Sequence, residues 1–513
     1  MKYPIGIQNF EDLRLNNYIY IDKTKYIYKL ANEGKYYFLS RPRRFGKSLL
    51  ISTMEAYFQG KKELFDGLAI QKEETEWKSY PILHIDLNTA NFREEDSLYT
   101  LLNDYLCQWE SVYGTRESET TLALRFKGIV ARIAQKEGKG VVILIDEYDK
   151  PILQTLQYPE LQDKHRNMLK AFYSVLKTQD KYIKFAFITG VTKFGKVSVF
   201  SDLNNLTDIS MDNRYVAICG LTEEELASNF KQGIEELAKT YGDTIEETIA
   251  KLKERYDGYH FEEHTIGIYN PFSVLNAMSR KQYKDYWFET GTPTFLVDLL
   301  KMHNYRLQDL TTERVSGDVI NSIDSMSTNP IPAIYQSGYL TITGYDERFK
   351  KYLLGFPNKE VEEGFINFLL PLYSSAGTDS PFIVDEFVHD VETGKPEQFM
   401  QRMKAFFADT SYQVVGNAEL YFQNVMYLVF KMMGFYTQVE RPTSDGRMDA
   451  IIQTADYIYI IECKLDGSAE EALEQIATNH YDAPFAMDKR KLIKIGINFS
   501  SETRGVESWK IEE

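Results

Sequence analysis

The chain has 513 residues, too many for one ordinary hydrophobic core, so roughly two to four domains are expected. Its 43% hydrophobic and 26% charged residues are typical of a soluble globular protein. No run approaches the ~18 apolar residues of a membrane span, and no signal peptide is visible. Three scattered cysteines, Cys107, Cys219 and Cys463, form neither a disulfide framework nor a zinc pattern. We therefore expect a cytoplasmic, reduced protein without a membrane partner.

The net charge of −16 excludes a wholly basic nucleic-acid coat, but it leaves room for a local basic groove. Residues 1–60 carry ten Lys and Arg against five Asp and Glu, whereas residues 410–513 carry ten against sixteen. Nucleic acid near the C-terminus would therefore depend on metal-neutralised carboxylates or on a surface from elsewhere in the chain.

The first 220 residues alternate strand-like and helix-like segments. Such alternation predicts a parallel sheet covered by helices on both faces. The predicted strands are 36–40, 81–87, 141–146 and 183–189, and the predicted helices are 47–58, 95–110, 120–136 and 161–178.

The first predicted strand runs into a basic loop that ends in Gly46-Lys47-Ser48 and then into a helix. This order brings backbone N–H groups, an ammonium and a hydroxyl to one point, as a nucleotide triphosphate with its Mg²⁺ ion requires. The first glycine of the usual phosphate-binding pattern is Arg41 here. The candidate nucleotide-binding residues are Arg43, Arg44, Phe45, Gly46, Lys47, Ser48 and Leu49.

A second motif, Val141 to Asp149, is an apolar run that stops at carboxylates, as a buried strand of a parallel sheet does. Asp146, together with Ser48, is the candidate magnesium ligand, and Glu147 is the candidate base that activates water. A buried strand followed by an ordinary acidic loop is the alternative, but the ordered pair of motifs favours ATP binding. The hydroxyl of Thr189 either senses a phosphate or belongs to a plain turn.

From Leu221 the pattern becomes helical, with Thr222 as a predicted N-cap, and this predicts a helical lid. Arg214 and Arg255 are weighed as phosphate sensors, but an ordinary surface or capping role is favoured for each. Further on, residues 337–343 and 352–356 predict a pair of short strands.

From residue 416 a helix to Met433 is followed by three strand-like segments and an amphipathic helix. The predicted strands are Tyr436–Arg441, Arg447–Gln453 and Tyr457–Lys464, and the helix covers Ala469–Ala477.

Alternate residues of a strand share one face, so Glu462 and Lys464 point the same way. If the last two strands pair, Asp449 lies beside Glu462, and two adjacent carboxylates favour a bound Mg²⁺ or Mn²⁺. Glu419 is the candidate further ligand, and Lys464 can orient water or stabilise charge on a phosphate. An exposed ion-pair face is the alternative, and Gln475 fits the site and an exposed position equally well.

Taken together, Asn9 to Leu13, Tyr20 to Thr24, the loop Leu39 to Ser48 and Ile145 to Asp149 resemble the AAA-ATPase-like proteins of bacteria and archaea. That family has P-loop ATPase domains of the additional-strand type, in which Arg replaces the Walker A glycine and a Walker B acid follows. Many members end in a PD-(D/E)XK domain, whose signature Asp449, Glu462 and Lys464 match. For Asp22 to Thr24 a capping role is slightly favoured over a place beside the nucleotide.

The resemblance implies an α/β chain: a P-loop ATPase core over 1–220, a helical lid over 221–330, a mixed region over 331–415 and a restriction-endonuclease-like domain over 416–513. It implies an Mg·ATP-hydrolysing enzyme coupled to a metal-dependent phosphodiesterase acting on nucleic acid, with DNA preferred. The alternative is a nucleotide-dependent switch or scaffold that binds a protein or nucleic-acid partner. The sequence leaves the oligomeric state and the biological role open.

Overall fold

The computed structural model describes residues 2–193, 199–200, 203–290, 296, 299–300, 305–321, 329–373, 380–408, 418–434, 437–440, 450–503 and 505–513. The chain divides into two compact units. The first comprises Met1–Gly291 and Glu313–Glu360, and the second comprises Thr292–Thr312 and Val361–Glu513.

The first unit is built on a parallel sheet with the strand order β2-β3-β4-β1-β5. Its strands are β1 (Tyr36–Ser40), β2 (Ile82–Asp86), β3 (Val141–Asp146), β4 (Ile183–Gly190) and β5 (Thr207–Asp208). Strand β4 separates β1 from β3, which confirms the additional-strand arrangement. Because every residue of β1 and β3 is buried, both strands read as continuous apolar runs.

Helices of the first unit follow the predicted alternation closely. They are α1 (Phe10–Leu15), α2 (Thr24–Glu33), α3 (Lys47–Phe58), α4 (Ser97–Tyr113), α5 (Leu122–Glu137), α6 (Lys150–Leu153) and α7 (Pro159–Thr178). The parallel register aligns Asp86 with Asp146 and Leu39 with Thr189. The carboxyl ends of the strands, where α/β sheets bind ligands, therefore meet at one edge.

The predicted lid is helical, in several pieces: α8 (Glu223–Asn229), α9 (Lys231–Tyr241), α10 (Ile245–Tyr256), α11 (Pro271–Arg280) and α12 (Tyr286–Glu289). Thr222 caps α8 in a reciprocal capping box with Glu225, as the sequence predicts. Leu226, Leu237, Leu252 and Val274 share one hydrophobic cluster, which packs these helices together.

A small antiparallel sheet completes the first unit, with the order β6-β8-β7. Its elements are β6 (Arg314–Ser316), α13 (Gly317–Ile320), α14 (Ile331–Gln336), β7 (Thr341–Asp346) and β8 (Lys351–Gly355). The strand predicted at residue 337 begins only at Thr341. Ser337 is the C-cap of α14, and Gly338 takes a φ of 90°, which ends the helix in a turn.

The second unit has helices around a mixed five-stranded sheet of order β13-β12-β11-β10-β9. The helices are α15 (Lys359–Tyr373), whose first two residues belong to the first unit, α16 (Ser380–Glu392), α17 (Pro396–Ala408), α18 (Ala418–Met433) and α19 (Ala469–Thr478). The strands are β9 (Gln438–Glu440), β10 (Ala450–Gln453), β11 (Tyr457–Leu465), β12 (Lys491–Ser500) and β13 (Gly505–Glu512). The last two strands were absent from the predicted elements.

Among the helices that the structure describes, none has both the length and the apolar character needed to cross a bilayer.

Candidate functional site

The loop between β1 and α3 is shaped to present backbone N–H groups. Arg44 and Gly46 adopt φ values of 66° and 93°, and Gly46 is the N-cap of α3. A left-handed backbone is costly for residues other than glycine, so it marks a loop held in a required shape. The N-terminus of α3 consequently faces the sheet edge with a partial positive charge, which suits an anion.

Lys47, at the start of α3, is buried, and its ammonium lies over this loop. Its Nζ atom donates to the carbonyl oxygens of Arg41 at 3.1 Å and Pro42 at 3.3 Å. The same atom lies 3.7 Å from Oε1 of Glu147. The predicted lysine and the predicted base are therefore neighbours, and the ammonium sits where it can exchange carbonyl contacts for phosphate oxygens.

Asp146 and Ser48 come together at the end of β3. Burial, followed by the nearby charge of Glu147, raises the pKa of Asp146, while a hydrogen bond with Ser48 lowers it. A carboxylate beside a hydroxyl is the donor set that Mg²⁺ takes in P-loop proteins. The predicted magnesium ligands thus fit that ion in both chemistry and proximity.

Glu147 itself has a φ of 52°, and its N–H donates to Oδ1 of Asp146 at 3.0 Å. A non-glycine residue in this region is strained by about 1–3 kcal/mol, and such strain clusters at functional sites. The kink turns the Glu147 side chain towards Lys47.

Asp149 is a buried acid that the sequence reasoning left without a role. Its carboxylate accepts hydrogen bonds from the backbone N–H groups of Val191 and Thr192 and from the Thr192 hydroxyl, the last at 2.6 Å. Burial, with the charge of Glu147 adding to it, raises the pKa of Asp149 to about 6. It ties the turn after β3 to the end of β4, and its place in the Asp-Glu-Tyr-Asp run was the available signal.

Arg41, which replaces the usual glycine, is almost completely buried. Its guanidinium donates to the carbonyl oxygens of Ser40 at 2.9 Å and Ser210 at 2.7 Å, and it lies 3.9 Å from the ring centre of Phe261. The side chain is thus engaged by the protein, and Arg41 fastens the phosphate-binding loop to the segment after β5.

The predicted nucleotide ligands Arg43, Arg44 and Phe45 all direct their side chains to aromatic residues of the protein. Arg43 donates to the Tyr339 hydroxyl at 2.9 Å and stacks on Trp287, Arg44 lies 5.0 Å from the ring centre of Phe272, and Phe45 packs edge-on against Tyr259. The Arg43 and Phe45 side chains are thus engaged by the protein, whereas Arg44 is exposed and keeps its guanidinium near solvent.

Next to the loop lies a cavity of about 100 Å³ with mostly apolar walls. Gly46 and Leu49 of the predicted set line it, as does Lys23, whose Nζ forms a 2.6 Å ion pair with Glu225. Other lining residues are Ile19, Tyr20, Ile21, Ile218, Cys219, Leu221 and Leu275. Sequence reasoning missed this cavity because its walls come from segments some 200 residues apart, as the Lys23–Glu225 pair shows.

Around Lys23, Asp22 has the capping role that the sequence favoured. Its Oδ1 accepts from the backbone N–H and the hydroxyl of Thr24 at the start of α2. Of the three residues Asp22, Lys23 and Thr24, Lys23 is therefore the one that borders the cavity.

Three weaker candidates have local partners. Arg214 pairs with Asp212 at 2.6 Å, Arg255 pairs with Asp285 at 2.7 Å, and the Thr189 hydroxyl donates to the carbonyl of Leu39 at 2.9 Å. These contacts favour ordinary structural roles for all three residues.

In the second unit, Glu462 and Lys464 share one face of β11, as predicted. Glu462 is fully buried, and its Oε1 lies 3.8 Å from Nζ of Lys464. That ammonium also donates to Oε1 of Gln475 on α19. Gln475 therefore faces the candidate site, which decides between its two interpretations.

Asn498 is a further polar residue beside this site, on the neighbouring strand β12. It is buried, it pairs with Lys464 in the parallel register, and its Oδ1 accepts from the N–H of Gly467 at 2.9 Å. Its Nδ2 donates to Glu507 at 2.7 Å. Asn498 thereby fixes the turn that follows Lys464.

The hairpin predicted to bring Asp449 to Glu462 is present, since Ala450 pairs with Ile461. Asp449 itself lies outside the described residues. Glu419 belongs to helix α18, but its side chain is likewise outside the description. Within the described residues no three acidic, imidazole or thiol groups converge, so a metal here would combine Glu462 with ligands from the remaining part.

Comparison with known proteins gives matches over both units. A family model for a predicted AAA-ATPase matches residues 4–200, and one for the PD-(D/E)XK nuclease superfamily matches residues 417–509. The chain is 32% identical over 527 residues to an uncharacterized protein in the vnfD 5'region of Azotobacter chroococcum mcd 1, covering 100% of this chain and 99% of the relative.

Among solved structures, the Aeropyrum pernix ORC2 protein (ADPNP-ADP complexes) is similar with a TM-score of 0.26 and 12% identity. The match covers 65% of this chain and 87% of that one. A likeness at this level supports no conclusion about function.

Proposed function

Because this chain belongs to the AAA-ATPase-like family that carries a C-terminal PD-(D/E)XK nuclease superfamily domain, we propose that it hydrolyses ATP and cuts nucleic acid, with DNA preferred. The observation that carries the proposal is the meeting of Lys47, Ser48, Asp146 and Glu147 at one sheet edge beside an apolar cavity. The groups that would contact phosphate, hold a metal ion and activate water are thus close together, and the cavity beside them has space for the nucleotide base.

In the first unit, the triphosphate binds at the N-terminus of α3, where loop N–H groups and the Lys47 ammonium neutralise its charge. Ser48 and Asp146 would hold Mg²⁺, which withdraws charge from the phosphate oxygens when bound. Lys47 then leaves its contact with Glu147, and this carboxylate accepts a proton from the attacking water. The close approach of Lys47 and Glu147 before binding supports this exchange.

The cavity beside Gly46 suits the base of the nucleotide. Its walls are largely aliphatic, which favours burial of a flat ring such as adenine. The Lys23 ammonium at its border is already paired with Glu225.

In the second unit, Glu462 would hold a divalent cation together with Asp449 and Glu419. When bound, such a cation would polarise the phosphodiester and lower the pKa of a bound water. Lys464, whose ammonium is oriented by its hydrogen bond to Gln475, stabilises the charge that develops on the phosphate. The burial of Glu462 beside the Lys464 ammonium supports this role, because positive charge stabilises a carboxylate in a buried position.

The ATPase half is tested by turnover and nucleotide-binding measurements on two variants. Lys47→Ala should lose ATP binding and turnover together, since it removes the cation that meets the phosphates. Glu147→Gln should keep binding and lower turnover by about 10²–10⁴-fold, the usual contribution of a general base. Turnover that survives in both variants would refute the assignment. Tight nucleotide binding without any turnover in the native chain would favour the nucleotide-dependent switch.

A further inference from the structure

The β7–β8 hairpin of the first unit ends in an exposed tip, residues 347–351, which we call the hairpin tip. At the base of the hairpin Thr341, Ile342 and Leu354 are buried, whereas every residue of the tip is exposed. Phe349 leaves 57% of its surface in solvent, an unusual position for a phenylalanine.

The hairpin tip is held in a defined shape. Oδ1 of Asp346 accepts hydrogen bonds from the backbone N–H groups of Arg348 and Phe349, both at 3.1 Å. The ring centres of Tyr345 and Tyr352 lie 4.8 Å apart across the two strands. Because the turn is fixed by these contacts, its side chains are presented to solvent at little ordering cost.

Arg348, Lys350 and Lys351 give the hairpin tip three cations against the single acid Glu347. Asp346 is already paired with Arg314 at 2.8 Å. Within the described residues none of the three cations forms an ion pair, and the Arg348 guanidinium lies 5.1 Å from the ring centre of Phe349. The acidic Glu262 and Glu263 lie by Tyr352, so the positive charge is confined to the tip.

This chemistry matches a nucleic-acid backbone. Cations that lack protein partners can neutralise phosphates, and an exposed aromatic ring beside them can pack on sugars or bases. A two-stranded ribbon is also narrow enough to enter a groove of duplex DNA. The chain has a net charge of −16, so the tip is a local exception in charge. A nucleic-acid backbone presents a higher density of negative charge than the acidic surface of a typical protein, and it is therefore the favoured ligand.

The neighbouring helix does not compete for this role. Helix α14 precedes the hairpin in the chain. Its residues Ile331, Ala333 and Ile334 are buried, and Gln336 accepts from the N–H of Lys193. The hairpin tip is therefore more exposed than this helix.

We propose that the hairpin tip is a docking site for duplex DNA, in which Arg348, Lys350 and Lys351 contact phosphates and Phe349 packs into a groove. The proposal rests on the proposed function only for the choice of nucleic acid as ligand. The tip belongs to neither candidate catalytic site, so its binding requires neither ATP nor a divalent metal.

The test is fluorescence anisotropy of the full chain with a labelled 30-base-pair duplex, in EDTA and without ATP. A combined Arg348→Ala, Lys350→Ala and Lys351→Ala variant should bind about tenfold more weakly or worse, and its slope of log affinity against log salt should fall by about two to three. Phe349→Ala should weaken binding with the slope unchanged.

The matched control is a combined Lys127→Ala, Lys177→Ala and Lys239→Ala variant, which removes the same charge from exposed positions elsewhere in the first unit. It should bind the duplex nearly as the native chain does, and retained ATP binding should show that both variants are folded.

Equal binding by the two triple variants would overturn the docking site and leave the proposed nuclease untouched. Absence of duplex binding by the native chain even at low salt would also overturn it. Loss of cleavage in Lys464→Ala with normal duplex binding would separate the catalytic site from the docking site. If the triple hairpin variant bound the duplex as well as the native chain but bound an acidic polypeptide more weakly, the tip would be assigned to a protein partner and the proposal would be rejected.

Discussion

Single residues explain how the candidate phosphate-binding loop is held in place without the first glycine of the usual pattern. The Arg41 guanidinium hydrogen-bonds backbone carbonyl oxygens and lies over the Phe261 ring, and these contacts stabilise the loop. Lys47 and Glu147 are held 3.7 Å apart, which keeps both at the sheet edge before a nucleotide arrives. The motif therefore differs in sequence while the groups that we propose contact phosphate remain in place.

Glu360 gives a prediction about pH. This fully buried carboxyl accepts from the Ser273 hydroxyl at 2.7 Å and the Trp287 backbone N–H at 2.7 Å, and burial raises its pKa from 4.5 to about 8. Because the folded state holds the proton more tightly, the stability it contributes is present below pH 4.5 and is lost as pH rises through about 8.

Glu360→Gln keeps a neutral group of the same shape, so it should remove this loss. Between pH 6 and 9 we expect the free energy of unfolding of the native chain to fall more than that of the variant, by on the order of a few kcal/mol. Differential scanning fluorimetry at both pH values shows this as a larger drop in melting temperature, with the exposed Glu224→Gln as the control. Parallel losses in the native chain and Glu360→Gln would contradict the prediction.

At the scale of elements, the cavity joins the segment before α2 to the start of α3 and the segment after β5. Ile21 lines it and is only partly buried, so a larger side chain can extend into the space without overpacking a full core. Ile21→Trp should weaken ATP binding by about tenfold or more, since a filled cavity excludes the base.

Calorimetric titration with ATP and with inorganic tripolyphosphate distinguishes this effect from general damage. Tripolyphosphate has no base, so its affinity should match that of the native chain. If both ligands weaken together, the substitution has disturbed the phosphate loop and the cavity does not hold the base.

Elements with a strong local signal could be predicted from the sequence. Strands β1 and β3 are buried on both faces and helix α3 follows a glycine turn, so their bounds match the predictions. Strand β5 has only two residues, too few for a pattern. Strand β12 alternates apolar residues with Lys494, Gly496 and Asn498, a weaker signal that was not used.

The candidate sites divide in the same way. The positions of Lys47, Asp146, Glu462 and Lys464 were predictable because Lys47 follows a glycine loop and the other three lie near the ends of recognisable strands. Asp149, Asn498 and the cavity walls became visible only with the fold, as did the choice between the two interpretations of Gln475, since their partners come from other elements. Local sequence carries little information about such long-range contacts.

At the scale of the whole molecule, the two units match two different enzyme families within one chain. We propose that the nucleotide state of the first unit controls cutting by the second, as a shift between two populations. The alternative of a non-catalytic second unit makes the opposite prediction for cleavage, so one experiment separates them.

That experiment is nucleic-acid cleavage by the purified chain. Linear DNA, supercoiled DNA and RNA are incubated in Mg²⁺ or Mn²⁺, with and without ATP, beside Lys464→Ala and Lys47→Ala. We predict metal-dependent cleavage of DNA that is lost in Lys464→Ala, and an ATP effect that is lost in Lys47→Ala. Absence of cleavage under every condition, or cleavage unchanged in Lys464→Ala, would contradict the account.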